Sequence, residues 1–309
     1  MPRIAKHLEK CVFFLFGYHP RTGYLTGPGA TGFFVARQSE TLHDVYHIYA
    51  VSNRHAVSDF SCIRINKTDD ETRMLDFEPT DWQWSDTDDL AAIDVTDQLS
   101  FDTDANLWLD NISWVNEFDF VSRETVWFSD IGIGDQTVML GLFSDYAGGS
   151  KNFPVGRFGH IAAIPDKANP VKLELSDRLS RPSYLNDMRS RNGFSGSPVW
   201  VWRTPYDDMN RVGFNGREQL FHPRNAFLYL VGVHRGQFRE QTTIRSAEAE
   251  RALHSGDDIE IASSMTVIVP AWEITALLDK DTFKQKRVER DSRSERVKLA
   301  NEIEALKRS

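Results

Sequence analysis

Short apolar runs, interrupted by Gly, Pro, Asn and Asp, recur along most of this chain and constrain its fold more than any other feature. TGFFV, HIYAV, LAAIDV, TVMLGLF, GHIAAI and LYLVGV are rich in aromatic and β-branched residues and are bounded by turn formers. That rhythm predicts an all-β architecture with sparse helix. The alternation of strand and helix patterns that an α/β protein needs is missing.

One turn in this framework carries chemistry. GFSGSPV, from Gly193 to Val199, sets a serine between two glycines just ahead of a strand-like run. Glycine on either side lets backbone N–H groups approach a developing oxyanion, so Ser195 is a candidate nucleophile; a Gly/Ser-rich turn between strands is the bland alternative. Upstream, His55 follows the run HIYAVSNR, and Asp89 heads LAAIDV. Singly, such a histidine is more often an ordinary surface or packed residue, and such an aspartate a turn residue. Together, the chain order His, Asp, Ser is one of those that carry a catalytic triad. Asp88 is the nearest rival of Asp89, but it belongs to the preceding acidic turn. In this reading Ser195 attacks a carbonyl, His55 takes and returns the proton, and Asp89 holds the imidazole.

These segments resemble the bacterial trypsin-like, chymotrypsin-fold serine peptidases. TGFFV is similar to the strand that leads to the family histidine, SNRHAV to the histidine region, DDLAAI to the aspartate region and GFSGSPV to the nucleophile region. GDQTVMLGLFSD and VGRFGHIAAIP resemble the opening strands of the second barrel, and LYLVGVHRG the strand flanking the cleft. The resemblance implies a double β-barrel in which residues 1–118 carry His55 and Asp89 and residues 119–280 carry Ser195 and a terminal helix; residues 281–309 lie outside it and are read from their dense charge as a helical tail. It also implies an acyl-enzyme mechanism on a peptide or protein substrate, no cofactor, and an oxyanion hole made by the amides of Gly193 and Ser195. Phe194 stands where activated digestive enzymes have an aspartate, so the hole must be ordered otherwise. VGVHRG and Ser-Gly-Ser-Pro-Val are similar to glutamyl endopeptidases, which implies substrate-binding roles for His234, Arg235 and, more distantly, Arg189. Successive strand residues face opposite sides, so His234 and Arg235 cannot readily serve one pocket. Small or apolar side chains are the alternative specificity.

Composition narrows the partners. The net charge of −9 argues against a nucleic-acid surface, which relies on clustered Lys and Arg. Two cysteines, Cys11 and Cys62, are too few for a disulfide-stapled secreted enzyme. A cytoplasmic setting is expected, with a secreted or periplasmic enzyme lacking bridges as the alternative. The N-terminal segment MPRIAKHLEKCVFFLFGY is read as a first strand rather than a signal peptide, and no stretch reaches the length of a membrane span. His43 and His47 would lie roughly 13 Å apart on a strand, which does not suit a shared metal ion. The acidic stretch from Asp69 to Asp89 lacks the spacing and central glycine of a calcium loop.

PAWEITALLDK has proline at its start and apolar residues at helical spacing, which predicts a helix packed back on the barrel. Beyond it, Leu299, Ile303 and Leu306 share one face of a highly charged segment, read as a solvated helix or as a docking helix for a protein partner. Two rival functions remain. An α/β-hydrolase would place its histidine after the serine, as His222, His234 and His254 do, but its GxSxG elbow fails at Ser197. A catalytically silent binding module on the same scaffold is the other.

Overall fold

The structure, a computed structural model, describes residues 4–43, 45–67, 71–100, 112–127, 131–146, 148–173, 180–202, 228–243 and 258–308. Its first sheet contains β1 (Val12–Tyr18), β2 (Leu25–Gln38), β3 (Tyr46–Ser52), β4 (Cys62–Asn66), β5 (Thr72–Leu75), β6 (Gln83–Trp84), β7 (Ala91–Asp94) and β8 (Val115–Asn116). These run antiparallel in the order β5-β4-β1-β2-β3-β7-β6, and β8 joins β2 in parallel. The second sheet contains β9 (Gln136–Gly141), β10 (Val155–Ala163), β11 (Tyr184–Asp187), β12 (Pro198–Trp202), β13 (Leu228–Thr243) and β14 (Asp258–Pro270). It closes into a barrel, β10-β11-β14-β13-β12-β9. A closed six-strand barrel beside a second curved sheet is the chymotrypsin-like double-barrel architecture that the sequence predicts.

The strand sequences explain how the halves join. β1 is apolar at nearly every position, not at every second one, because both of its faces are buried. Phe13 and Leu15 face the interior of the first sheet with Phe34, Ile63 and Trp82. Phe14 and Phe16 face the other way, into a core shared with Leu140, Leu142, Trp200, Val233 and Val269 of the second barrel. A third cluster, including Met139, Tyr184, Phe194 and Val231, fills the second barrel. Burying a side chain of this size contributes roughly 1.5–3 kcal/mol, so the shared cluster makes the two halves one cooperative body. The chain crosses between them after β8, where Phe120 bridges to Leu230 of β13.

Six helices are named among the described residues: α1 (Lys6–Lys10), α2 (Arg54–Asp59), α3 (Thr96–Ser100), α4 (Arg123–Trp127), α5 (Ala271–Leu278) and α6 (Asp281–Arg308). The segment read as wholly strand begins with α1, whose Leu8 is buried and whose carbonyl receives the Cys11 thiol at 3.0 Å. The strand itself starts at Val12. Helix α5 starts after Pro270 and buries Ala271, Ile274, Leu277 and Leu278, the predicted packing face.

The charged segment after Lys280 is helical, but its first half is not a solvated tail. Phe283, Arg287 and Asp291, one turn apart, are buried against the first sheet. Phe283 meets Tyr49 edge to face at 5.2 Å, and Arg287 donates to the Tyr49 hydroxyl at 3.1 Å and to the Leu278 carbonyl at 2.8 Å. Arg290 pairs with Asp94 at 3.2 Å and Asp97 at 3.0 Å, and it donates to His47 Nδ1 at 3.1 Å. Because a guanidinium only donates, His47 carries its proton on Nε2, which faces Asp291 at 3.0 Å. In this half the buried face of the helix packs on the protein's own β3. The side chains of Leu299, Ile303 and Leu306, together with His222 and His254, lie outside the described residues.

No described helix is long and apolar enough to cross a membrane. Cys11 and Cys62 are buried free thiols, and no group of metal-ligating side chains occurs among the described residues.

Candidate active site

Strand β3 ends at Ser52, and three residues later the chain turns into α2, which carries His55. Asp89 precedes β7, the neighbour of β3, so sheet pairing brings the two residues together across 34 positions. Both Asp89 carboxylate oxygens are engaged: Oδ1 accepts from the His55 backbone amide at 3.0 Å, and Oδ2 lies 2.5 Å from His55 Nδ1. The Asp89 carbonyl accepts from Asn53 Nδ2 at 2.9 Å and from the Arg54 amide at 3.4 Å. The 53–55 turn thus wraps the aspartate from three sides. Asp88 points elsewhere, taking the Thr87 hydroxyl at 2.8 Å, and burial pushes its carboxyl above the ordinary range.

The turn holding Ser195 precedes β12 and is shaped by two glycines at left-handed backbone angles, Gly193 at φ 98° and Gly196 at φ 83°. A Cβ on Gly196 would lie 2.1 Å from the Thr31 carbonyl oxygen and 2.2 Å from Ser52 Oγ, so only glycine fits where the turn meets the first sheet. Thr31, fully buried in β2, organises that meeting. Its amide donates to the Ser195 carbonyl at 2.9 Å and its hydroxyl to the Gly193 carbonyl at 2.7 Å. The same hydroxyl accepts from the Leu142 amide at 2.9 Å, and the Thr31 carbonyl accepts from Ser52 Oγ at 2.7 Å. Ser52 leads directly into the His55 turn, so one residue links nucleophile turn and histidine. Among the described residues no hydrogen bond joins the Ser195 hydroxyl to His55.

The remaining carbonyls of the turn are also held. Asn192 accepts from Ser144 Oγ at 2.8 Å. Phe194 accepts from the Ser197 amide at 3.0 Å and faces His234 Nδ1 at 3.1 Å. Among the described residues nothing accepts from the amides of Gly193 and Ser195, the two expected oxyanion donors. The Phe194 side chain fills the second barrel's core beneath the Arg157 guanidinium, 5.6 Å from its ring. Packing, not an ion pair, anchors this position.

His234 and Arg235 sit where β13 shifts register against β14, so simple strand alternation does not set their directions. His234 is buried, and desolvation lowers its pKa to about 4, so the ring is neutral. A carbonyl can only accept, so the proton sits on Nδ1; Nε2 is buried without a partner. The resemblance sets Arg235 beside a substrate carboxylate. Instead, its guanidinium is buried with Nε 3.9 Å from Asp89 Oδ2, which makes it a neighbour of the proposed triad. Arg189 is exposed beyond β11, and no described contact brings it to His234 or Arg235. Sequence reasoning missed Thr31 and Ser144. TGFFV was visible as a strand, but nothing local marks its first residue as a partner of a turn 162 positions away.

No family model and no curated protein sequence matches the chain. Solved structures that it is similar to include HtrA-type proteases and a protease from M. tuberculosis. One is the HtrA-type protease AlgW with tripeptide, at 15% identity over 88% of this chain and 61% of that one, with a TM-score of 0.43. Another is the protease Rv3671c from M. tuberculosis in its active form, at 15% identity over 88% of this chain and 81% of that one, with a TM-score of 0.44. The chain spans less than two thirds of the AlgW chains that it matches.

Proposed function

We propose that this protein is a serine endopeptidase that cleaves peptide bonds through an acyl-enzyme on Ser195. The observation that carries the reading is the His55–Asp89 pair, held at both carboxylate oxygens where β3 ends and β7 begins and tied through Ser52 and Thr31 to the turn bearing Ser195. Ser195 Oγ attacks the scissile carbonyl carbon as His55 Nε2 accepts its proton, while Asp89 holds Nδ1–H and stabilises the imidazolium. The carbonyl oxygen takes the negative charge and is met by the amides of Gly193 and Ser195. Collapse breaks the C–N bond, with the proton from His55 going to the leaving amine. Water, activated by the same imidazole, then releases the acyl group and restores Ser195.

The substrate side chain preceding the cleaved bond is, in this reading, not acidic. A neutral His234 whose N–H is committed to Phe194 presents only a lone pair at Nε2, which repels a carboxylate. A peptide-library digest tests this: cleavage mainly after Glu or Asp, abolished by His234→Ala, would restore the acidic specificity.

A binding module without turnover is the second reading, favoured by the missing Ser195–His55 hydrogen bond, although such bonds often tighten only with substrate. Fluorophosphonate labelling of purified protein separates the two. The endopeptidase reading expects a stoichiometric adduct on Ser195, lost in Ser195→Ala and in His55→Ala, with the double variant little worse than either. A folded wild-type protein that takes no label supports the binding module.

A further inference from the structure

The oxyanion hole is set by two backbone amides, but an amide cannot choose its own direction. In a trans peptide unit the N–H and the preceding residue's C=O point opposite ways, so whatever holds that oxygen aims the N–H. Both peptides concerned are trans. The Gly193 N–H belongs to the peptide whose oxygen is on Asn192, and that oxygen accepts from Ser144 Oγ at 2.8 Å. The Ser195 N–H belongs to the peptide whose oxygen is on Phe194, and that oxygen accepts from His234 Nδ1 at 3.1 Å. We propose that Ser144 and His234 are positioning residues of the oxyanion hole, each donating to the carbonyl at the far end of the peptide that supplies one of its two N–H groups.

Three further observations support the assignment. The two amides concerned have no acceptor among the described residues, while the neighbouring amides of Phe194, Gly196 and Ser197 all do. The hole is therefore directed at space and not at the protein. Thr31 pins the carbonyls of Gly193 and Ser195, while the Asn192 carbonyl is held by Ser144 and the Phe194 carbonyl by His234 together with the Ser197 amide at 3.0 Å. Finally, a neutral His234 can donate from Nδ1 only as the Nδ1–H tautomer, and burial keeps the ring neutral. This gives the buried histidine a task that needs no substrate contact. Gly193, at φ 98°, lacks the side chain that would resist peptide rotation, which is why a tether on Asn192 matters there.

The inference rests on the serine-hydrolase reading, and one experiment separates their failures. Wild type, Ser195→Ala, Ser144→Ala, Ser144→Thr, His234→Leu and His234→Asn are labelled with a fluorophosphonate probe, resolving the maximal rate from the half-saturating concentration, and their thermal unfolding is recorded. Asparagine places an N–H near the Nδ1 position, and threonine keeps the hydroxyl. The expected result is a maximal rate about 10-fold lower in Ser144→Ala and in His234→Leu with unchanged half-saturation, a smaller effect than deleting an oxyanion donor outright. Ser144→Thr and His234→Asn return to within about 3-fold of wild type. Ser144 is exposed, so its alanine variant reports on the tether without a buried cavity. Wild-type rates in Ser144→Ala and His234→Leu would overturn the proposal. Equal losses in the donor-keeping variants would also overturn it, by assigning the effect to packing. Labelling absent from wild type, or retained in Ser195→Ala, would overturn the hydrolase reading and this inference with it.

Discussion

The hydroxyl of Thr31, in the first sheet, donates to the carbonyl of Gly193, in the second barrel, at 2.7 Å across 162 positions of chain. The turn bearing Ser195 is thereby anchored on the half of the protein to which it does not belong. Thr31→Val keeps the shape and removes the hydroxyl, leaving the Gly193 carbonyl and the Leu142 amide unpaired. A stability loss of roughly 1–3 kcal/mol in urea unfolding and slower probe labelling are expected. Thr31→Ser should retain both.

Gly196 meets the same junction from the other side. Alanine there requires a left-handed backbone and places a Cβ against the Thr31 carbonyl and Ser52 Oγ. The expected cost is roughly 2 kcal/mol or more, read as a lower unfolding midpoint, with labelling of Ser195 lost. A fully active, fully stable Gly196→Ala protein would contradict the geometry.

Helix α6 contributes to the stability of the first sheet. Phe283→Ala should cost about 3–5 kcal/mol, because the ring fills a site between Tyr49 and the shared core. Truncation after Lys280 removes Phe283, Arg287, Arg290 and Asp291 together, so its product should unfold at markedly lower urea than the full chain. Equal midpoints would show that the docked half is ornamental.

Two buried histidines set a pH dependence with a definite sign. Burial depresses the pKa of His47, which is faced by Asp291, Arg290, Asp94 and Arg287, and lowers that of His234 to about 4. Below the unfolded value near 6.5 the unfolded chain binds protons that these folded rings refuse. Stability is therefore complete above pH 6.5 and falls as pH drops from there towards about 4. Urea midpoints across that window should decline less steeply in His234→Leu than in wild type.

The sequence made the fold legible where burial is simple. Continuous apolar runs such as VFFLF and PVWVW mark strands buried on both faces; Ser195 lies just ahead of the second of these, while His55 follows β3 and Asp89 precedes β7. It was less legible where polar groups do the packing. Phe283, Arg287 and Asp291 lie on one helical face, but two of the three are charged, so hydrophobic patterning reads the segment as solvated. Their burial depends on His47, Tyr49 and Ser39, which are hundreds of positions away and carry no local signature. Ser144 is hidden for the same reason: a serine in a polar loop announces nothing until Asn192 is seen opposite it.

His55 exposes half of its side-chain surface, whereas Asp89 behind it exposes 9%. The pair is thus an exposed base backed by a buried carboxylate. A peptide laid over the imidazole displaces the water in front of it and lowers the dielectric around the pair, strengthening their attraction as the imidazolium forms. In the endopeptidase reading the substrate completes the solvent shield of the proposed site, so a peptide too short to cover the ring should turn over more slowly even when it binds.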